Sequence, residues 1–443
     1  MSYTGIYNII LFAAAVVLLP YYGFKMIVTG KYRKSLGAKL GMISYDVFAD
    51  MKGAPRIWVH AVSVGEVTAA APIIASLRDM FPQACIVLST STETGQDMAR
   101  RMVSGVTAYM YFPIDIPWVV SKVVNRVKPD IFIPVETELW PNFLRICHER
   151  DIGIVMANGR ISPRSYARYS KTRYFWRKMM TLIDAAGMIS PVDADRIRDI
   201  GLEPSKITVM GNAKYDGLAA RTNGALHRDS ADRLAIHEGS PVFVAGSTHE
   251  GEETIILDVY GKLLKAWPDC LLIIVPRHIE RRGDVLSLVK RTGSNDCITM
   301  TEINGGKRRT TERVIVVDVI GELFKIYSLA TVVFCGGSLV PRGGQNILEA
   351  AAWGKVVLYG PFMEDFTDEK RLLEAAGAGI TVRNETELMH AITRLLENPD
   401  DLASRGEAGR AVVMSNRGAS RRYAELIASR LKIHDKVEGI GIG

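Results

Sequence analysis

The stretch Val242-Phe243-Val244-Ala245-Gly246-Ser247-Thr248-His249-Glu250-Gly251-Glu252-Glu253 passes from an apolar strand through a glycine turn into a helix start. Strand-length apolar runs recur along the chain at Ile57–Val59, Ile86–Leu88, Ile131–Val135, Ile154–Met156, Leu271–Val275, Val314–Val317, Val332–Cys335 and Val356–Leu358, with helical patterns between them. Such alternation predicts parallel sheets covered by helices on both faces, the doubly wound α/β class. The stretch from Asp216 to Ser240, polar and rich in Asp, Arg and Gly, has the thinnest core-forming pattern. It marks a linker between two Rossmann-like domains, expected at 29–215 and 216–415. In open sheets of this class ligands bind beyond the carboxyl ends of the strands, so the residues just after each strand are the candidates for chemistry.

The chain has 443 residues, of which 48% are apolar and 23% charged, and this excludes a disordered chain, a collagen-like repeat and a multi-span membrane bundle. Subtracting 48 acids from 55 bases leaves a formal charge of +7, which favours anionic partners. The five cysteines are scattered with no C-x-x-C spacing, so neither zinc nor redox work is indicated and a reducing compartment is the simplest setting.

No charged residue occurs from Ser2 to Phe24, after which Lys25, Lys31, Arg33, Lys34 and Lys39 precede the first acid, Asp46. The uncharged run suits one membrane anchor over 1–28, and the basic excess after it places the rest of the chain in the cytoplasm. A cleavable signal is disfavoured, because no base precedes the run and Pro20-Tyr21-Tyr22 follows it. The competing reading is a core helix interrupted at Pro20.

Ser63-Val64-Gly65-Glu66 leads into an apolar helix face at Val67, Ala70, Ala71, Ile74 and Leu77, so Glu66 stands near a helix N-terminus. There the dipole favours an ionised carboxylate, and Gly65 opens the backbone to a substrate. Both suit a general base, although first-turn acids are also common for stability alone. Pro72 is expected to kink this helix unless it falls in the first turn. Glu136 and Glu138 follow the strand Ile131–Val135 directly, either as partners of Glu66 and a substrate hydroxyl or as part of a solvated loop over Trp140. From Ile152 to Ile183 there is no acid, while Arg160, Arg164, Arg168, Lys171, Arg173, Arg177 and Lys178 alternate with Tyr166, Tyr169, Tyr174, Phe175 and Trp176. A basic, aromatic surface of this kind suits anionic headgroups or a phosphorylated lipid. No nucleic-acid motif accompanies it.

In the second half, Ser247 and Thr248 lie in the glycine turn after the strand Val242–Ala245, where a phosphate fits, though Ser247 with Glu250 also has capping-box spacing. Arg277 and His278 follow Leu271–Val275, and the Arg277 guanidinium matches phosphate oxygens. Gly336, Gly337, Gly343 and Gly344 flank one loop whose amides suit an anion, and Asn346 and Glu349 follow with cap spacing.

Together Ser63-Val64-Gly65-Glu66, Glu136-Thr137-Glu138-Leu139-Trp140-Pro141-Asn142, Asn158-Gly159-Arg160-Ile161-Ser162, Pro276-Arg277-His278 and the double-glycine loop resemble the 3-deoxy-D-manno-octulosonic acid (Kdo) transferases of lipopolysaccharide assembly. The resemblance runs from the N-terminal segment to about residue 430. It implies a GT-B glycosyltransferase with an acceptor domain, a CMP-sugar domain, a cleft between them and a last helix, 416–432, crossing back. It further implies an inverting, metal-independent enzyme, with no cofactor beyond its donor substrate, that moves Kdo from CMP-Kdo to a lipid A precursor. The setting implied is the cytoplasmic face of the inner membrane of a Gram-negative bacterium, among its phospholipids. Glu66 is then the base, Glu136 or Glu138 is essential beside it, and Ser247, Thr248, Arg277, His278, the glycine loop, Asn346 and Glu349 hold the nucleotide. Gly65, Arg160, Arg164, Arg168, Lys171 and Arg173 would meet acceptor and membrane. Gln345 and Ile347 depart from the His and Pro that family members often carry. The alternatives are a UDP-sugar-dependent GT-B lipid glycosyltransferase and a non-catalytic scaffold for anionic lipid.

Overall fold

A computed structural model describes residues 5, 7–16, 20, 35–236, 239–291 and 297–438, the last seven of them by backbone alone. The chain forms two compact units, one of 1–217 with 416–443 and the other of 218–415.

The first unit is built on a seven-stranded parallel sheet in the order β3-β2-β1-β4-β5-β6-β7. Its strands are β1 (Arg56–His60), β2 (Cys85–Thr90), β3 (Ala108–Tyr111), β4 (Ile131–Pro134), β5 (Gly153–Gly159), β6 (Ala185–Met188) and β7 (Ile207–Val209). Successive side chains of a strand point to opposite faces, so the continuous apolar runs fill two cores. Trp58 and Phe132 face one side, with Phe112 and Phe143. Ile57, Val59, Ile131 and Ile133 face the other, with Tyr423, Ala424 and Ile427 of the C-terminal helix Ala419–Glu438. That helix needs room, which β6 supplies: a side chain at Gly187 would collide with the Tyr423 ring. The Tyr423 hydroxyl in turn donates to the Gly211 carbonyl at 2.7 Å. The Asp216 carboxylate accepts from Ser420 N–H and Ser420 Oγ, both at 2.7 Å, which fixes the first turn of the helix.

The second unit carries another seven-stranded parallel sheet, β10-β11-β9-β8-β12-β13-β14. Here β8 is Val242–Thr248, β9 Leu271–Pro276, β10 Cys297–Thr299, β11 Val314–Val316, β12 Val332–Cys335, β13 Val357–Tyr359 and β14 Gly379–Thr381. In each sheet the connections reverse direction once, between β1 and β4 in the first and between β8 and β12 in the second. Those reversals open the crevices in which α/β sheets take ligands.

Pro72 does not end its helix. Val64–Met80 runs through it with Pro72 in the interior, beyond the first turn, and the Ser76 hydroxyl donates to the Pro72 carbonyl at 3.0 Å. The helix is held by a buried face that includes Val67, Ala70, Ile73, Ile74 and Leu77, and this packing outweighs one missing backbone bond.

Of the expected anchor at 1–28, all but residues 5, 7–16 and 20 lies outside the described residues. Residues 7–16 are helical and pack on the first unit. The Tyr7 hydroxyl donates to Asp115 at 3.0 Å, Asn142 donates to Asn8 at 2.7 Å, and Phe12 stacks on Trp118 at 5.3 Å. Among the described residues no helix is long and apolar enough to cross a membrane.

Candidate functional site

In the first unit the loops after β1 and β4 meet at the sheet reversal, and each brings carboxylates there. Ser63 is the N-cap of Val64–Met80 and Glu66 lies in its first turn, 9% exposed. Its carboxylate accepts from Val62 N–H at 2.6 Å and from the Ser63 hydroxyl at 3.0 Å, so it ties down the loop that enters its own helix and lies at the strand ends. Burial first, then the neighbouring Glu136 carboxylate, push the Glu66 carboxyl up to about 7, against Val62, Ser63 and Lys214. Burial and the Glu66 charge push Glu138 up to about 8, although the Trp140 indole N–H donates to it at 3.0 Å. Glu136 instead has an ion-pair partner, Lys214 Nζ at 3.0 Å. Its backbone is left-handed, with φ 61°, a conformation that non-glycine residues adopt at a cost and that clusters at functional sites.

Lys214 did not stand out in the sequence. It follows Gly211-Asn212-Ala213 just after β7 and sits at the start of the helix Lys214–Arg221. A lone base beside Gly-Asn at a strand end was the available signal.

The basic segment folds into two short helices, Pro163–Lys171 and Arg173–Met180. Arg164, Arg168, Lys171 and Arg173 are exposed, while Arg160 and Gly65 are not on that surface. Arg160 lies after β5, where its carbonyl accepts from the Thr137 hydroxyl, and Gly65 belongs to the Glu66 helix. Most of the aromatics turn inward, since Tyr166, Tyr169, Phe175 and Trp176 pack against the core. Only Tyr174, 78% exposed, stays with the cations.

In the second unit Ser247 and Thr248 end β8 at the other reversal. No capping box forms between Ser247 and Glu250, because β8 runs through Thr248 and the next helix begins only at Glu252. Ser247 has φ 55°, and Thr248 Oγ1 is buried with no partner among the described residues. Gly336 permits the close approach here, since an added Cβ would stand 2.5 Å from the Ser247 carbonyl oxygen. Arg277 and His278 are exposed at the end of β9. Asn346 spans the start of the helix Leu348–Ala352, accepting from Leu348 N–H at 3.2 Å and donating to Glu349 at 3.4 Å, a local capping arrangement. Burial raises the Glu349 carboxyl, and Arg221, Asn346 and Arg277 pull it down.

The glycine loop differs from the expectation of free amides. The carboxylate of Glu252, fully buried, accepts from Gly337 N–H at 2.7 Å and from Ser338 and Leu339 N–H at 3.0 Å each. A buried charge demands such partners, so the amides of Gly337, Ser338 and Leu339 are occupied by the protein's own anion, while Gly336 N–H donates to the Gly246 carbonyl at 2.8 Å. Gly343 and Gly344, both with positive φ, form the far side of the loop, and Gly344 N–H donates to the Gly337 carbonyl at 2.8 Å. The adjoining Glu253 is fully buried too and is held by both guanidinium nitrogens of Arg281, at 2.6 and 3.3 Å.

Residues 34–217 match the family model described as 3-deoxy-D-manno-octulosonic-acid transferase (kdotransferase). The chain is 32% identical over 435 residues to the 3-deoxy-D-manno-octulosonic acid transferase of Haemophilus influenzae, covering 96% of this chain and 98% of the relative. It is 28% identical to that of Chlamydophila psittaci, covering 91% and 90%. Among solved structures, the UDP-GlcNAc 2-epimerase of Neisseria meningitidis aligns with a TM-score of 0.58 at 14% identity, covering 85% of this chain and 99% of the neighbour, a likeness of fold. With near-complete coverage at that first identity, and two doubly wound units of the GT-B type, the chain belongs to the Kdo transferase family of glycosyltransferases.

Proposed function

We propose that this Kdo transferase takes its sugar from CMP-Kdo and passes it to a hydroxyl of a lipid A precursor, with Glu66 as general base. The observation that carries the reading is the carboxylate cluster at the first sheet reversal. A base works best when its pKa lies near the working pH, and the Glu66 carboxyl, pushed up to about 7, meets that condition. In the proposed step the acceptor hydroxyl gives its proton to Glu66 as its oxygen bonds to the anomeric carbon of Kdo. The bond from that carbon to the CMP phosphate breaks on the opposite side, inverting the centre. CMP departs as an anion, and Arg277 supplies the compensating charge without a metal. Thr248 Oγ1, buried with no partner among the described residues, and Asn346 are proposed to hold the nucleotide, with Glu349 toward its ribose and Ser247, His278 and the Gly343-Gly344 turn nearby. Glu136, fixed by Lys214, sets the field around Glu66, and Glu138 is proposed to bind an acceptor hydroxyl.

The membrane part of the reading rests on the N-terminal segment and the basic surface. The outer face of residues 7–16 presents Ile9, Ile10, Phe12 and Val16 beside Trp118, all exposed. Arg164, Arg168, Lys171 and Arg173 add exposed positive charge. We place the enzyme on the cytoplasmic face of the inner membrane, anchored through its N-terminus, where a phosphorylated lipid acceptor and phospholipid headgroups meet that charge. The test of the donor is thermal stabilisation of the purified protein by nucleotides. CMP is expected to raise the melting temperature of wild type and of Glu66→Gln alike, and UDP is not. Stabilisation by UDP alone overturns the donor assignment.

A further inference from the structure

The second unit contains a cavity that the reaction does not use. Its volume is ≈ 610 Å³, and it is lined by Asn223, Thr331, Trp353, Lys355, Leu402 and Arg410 among others. These residues come from the segments that lead into β12 and β13, from the helix Pro399–Ser415 and, for Asn223, from the N-cap of the helix Gly224–Arg233. The cavity therefore lies at the amino ends of the parallel strands, whereas Ser247, Thr248 and the glycine loop lie at the carboxyl ends. A volume of this size is typical of small-molecule pockets.

One charged group in the wall lacks a counterpart among the described residues. Lys355 is half-buried, and among the described residues its ammonium has neither a carboxylate partner nor a hydrogen bond. Burial alone pulls its pKa down, the mark of a cation held without compensation. The only acid in the wall, Glu407, is largely exposed and lies 3.4 Å from Arg410, one turn away. The frame is rigid, because a side chain at Gly406 would collide with the Gly354 carbonyl, which seats the helix Pro399–Ser415 on the turn bearing Trp353 and Lys355. Trp353 is further fixed against Phe324 at 5.5 Å, whose ring carries the Arg221 guanidinium at 4.1 Å. Leu402, Ala352 and Ala403 supply apolar wall between the polar groups.

We infer that this cavity is a second binding site, for a small organic anion of sugar-phosphate or tricarboxylate size, whose charged group pairs with Lys355. Such a ligand supplies what the wall lacks, a negative charge on a compact body. The inference does not depend on the identity of the sugar donor.

The test is thermal stabilisation of the full-length protein in detergent by glucose 6-phosphate and by citrate, each with inorganic phosphate as a small-ion comparison. At least one of the two organic anions is expected to raise the melting temperature at about 10 mM. Lys355→Met should weaken that binding at least about tenfold, Lys355→Arg should retain it, and Arg277→Met, at the opposite end of the sheet, should leave it unchanged. Lys355→Gln removes the charge and keeps a polar side chain, and should weaken binding likewise even if Lys355→Met fails to fold. The inference is overturned if neither organic anion stabilises wild type beyond inorganic phosphate. It is equally overturned if Lys355→Met and Lys355→Gln respond as wild type does, or if Arg277→Met alone abolishes the response.

Discussion

Removing the Lys214 ammonium should move the pH dependence of catalysis and leave its alkaline plateau in place. Lys214 stands 3.0 Å from Glu136, with both side chains about three-quarters buried. It lowers the Glu66 pKa directly, while Glu136 raises it. Lys214→Met thus acts on Glu66 twice, by deleting a favourable charge and by leaving the Glu136 charge uncompensated. Lys214 is the smallest of the five influences on Glu66, so the low end of the range for a nearby opposite charge applies, about one pH unit or 1.4 kcal/mol. The proposed base, Glu66, would act in its ionised form, so kcat/KM should rise with pH through the Glu66 pKa. With a midpoint near 7 in wild type and about one unit higher in the variant, activity at pH 7 falls roughly fivefold and recovers above pH 9. Lys214→Arg should restore the wild-type profile. The assay is kcat/KM across that pH range. A midpoint that stays put or moves to lower pH, or a loss equal at every pH, refutes the electrostatic role.

Three further outcomes follow from the packing and the charges. Glu252→Ala leaves three loop amides without their acceptor, and should cost about 3 kcal/mol or more, read as a lowered denaturation midpoint together with weakened nucleotide binding. Gly187→Leu forces the Tyr423 ring off the sheet, so the C-terminal helix should become the first segment to lose hydrogen-exchange protection; unchanged protection there contradicts that packing. Because Glu66 and Glu138 have folded pKa values raised from 4.5 to about 7 and about 8, their contribution to stability is full below pH 4.5 and is lost as pH rises toward 8. The stability difference between wild type and the Glu66→Gln/Glu138→Gln double variant should fall across that window and be flat above it, as measured by urea denaturation.

How much of this was legible in the sequence depended on burial. The strands at the centres of the two sheets are the continuous apolar runs, because a parallel strand covered on both faces has no polar side to show. The strands without such a signature are β3, β7, β10 and β14, which are the four sheet edges, and β6. Edge strands are short and partly wet, as in β7, where Thr208 and Val209 are exposed, so no apolar run announces them. β6, Ala-Ala-Gly-Met, is small for another reason, since it makes way for Tyr423. At the site, the local feature was readable and the long-range one was not. A carboxylate in a first helical turn is visible in Ser63-Val64-Gly65-Glu66, but the approach of Glu136 across the sheet and of Lys214 from 78 positions away is a product of topology. The glycine loop shows the same limit, because nothing in its composition reveals that Glu252, more than 80 residues earlier, fills three of its amides. The basic segment reads as mixed in sequence, and folding sorts it into exposed cations and rings of which four are partly buried against the core.

The most direct test of the central claim is mass spectrometry of a lipid A precursor incubated with the purified protein and CMP-Kdo generated in situ, for wild type and Glu66→Gln. The account predicts addition of whole Kdo residues by wild type, and a loss of about 100-fold or more in rate for Glu66→Gln with CMP binding retained. Transfer by Glu66→Gln at the wild-type rate, or no mass increase from a wild-type protein that binds CMP, would contradict it.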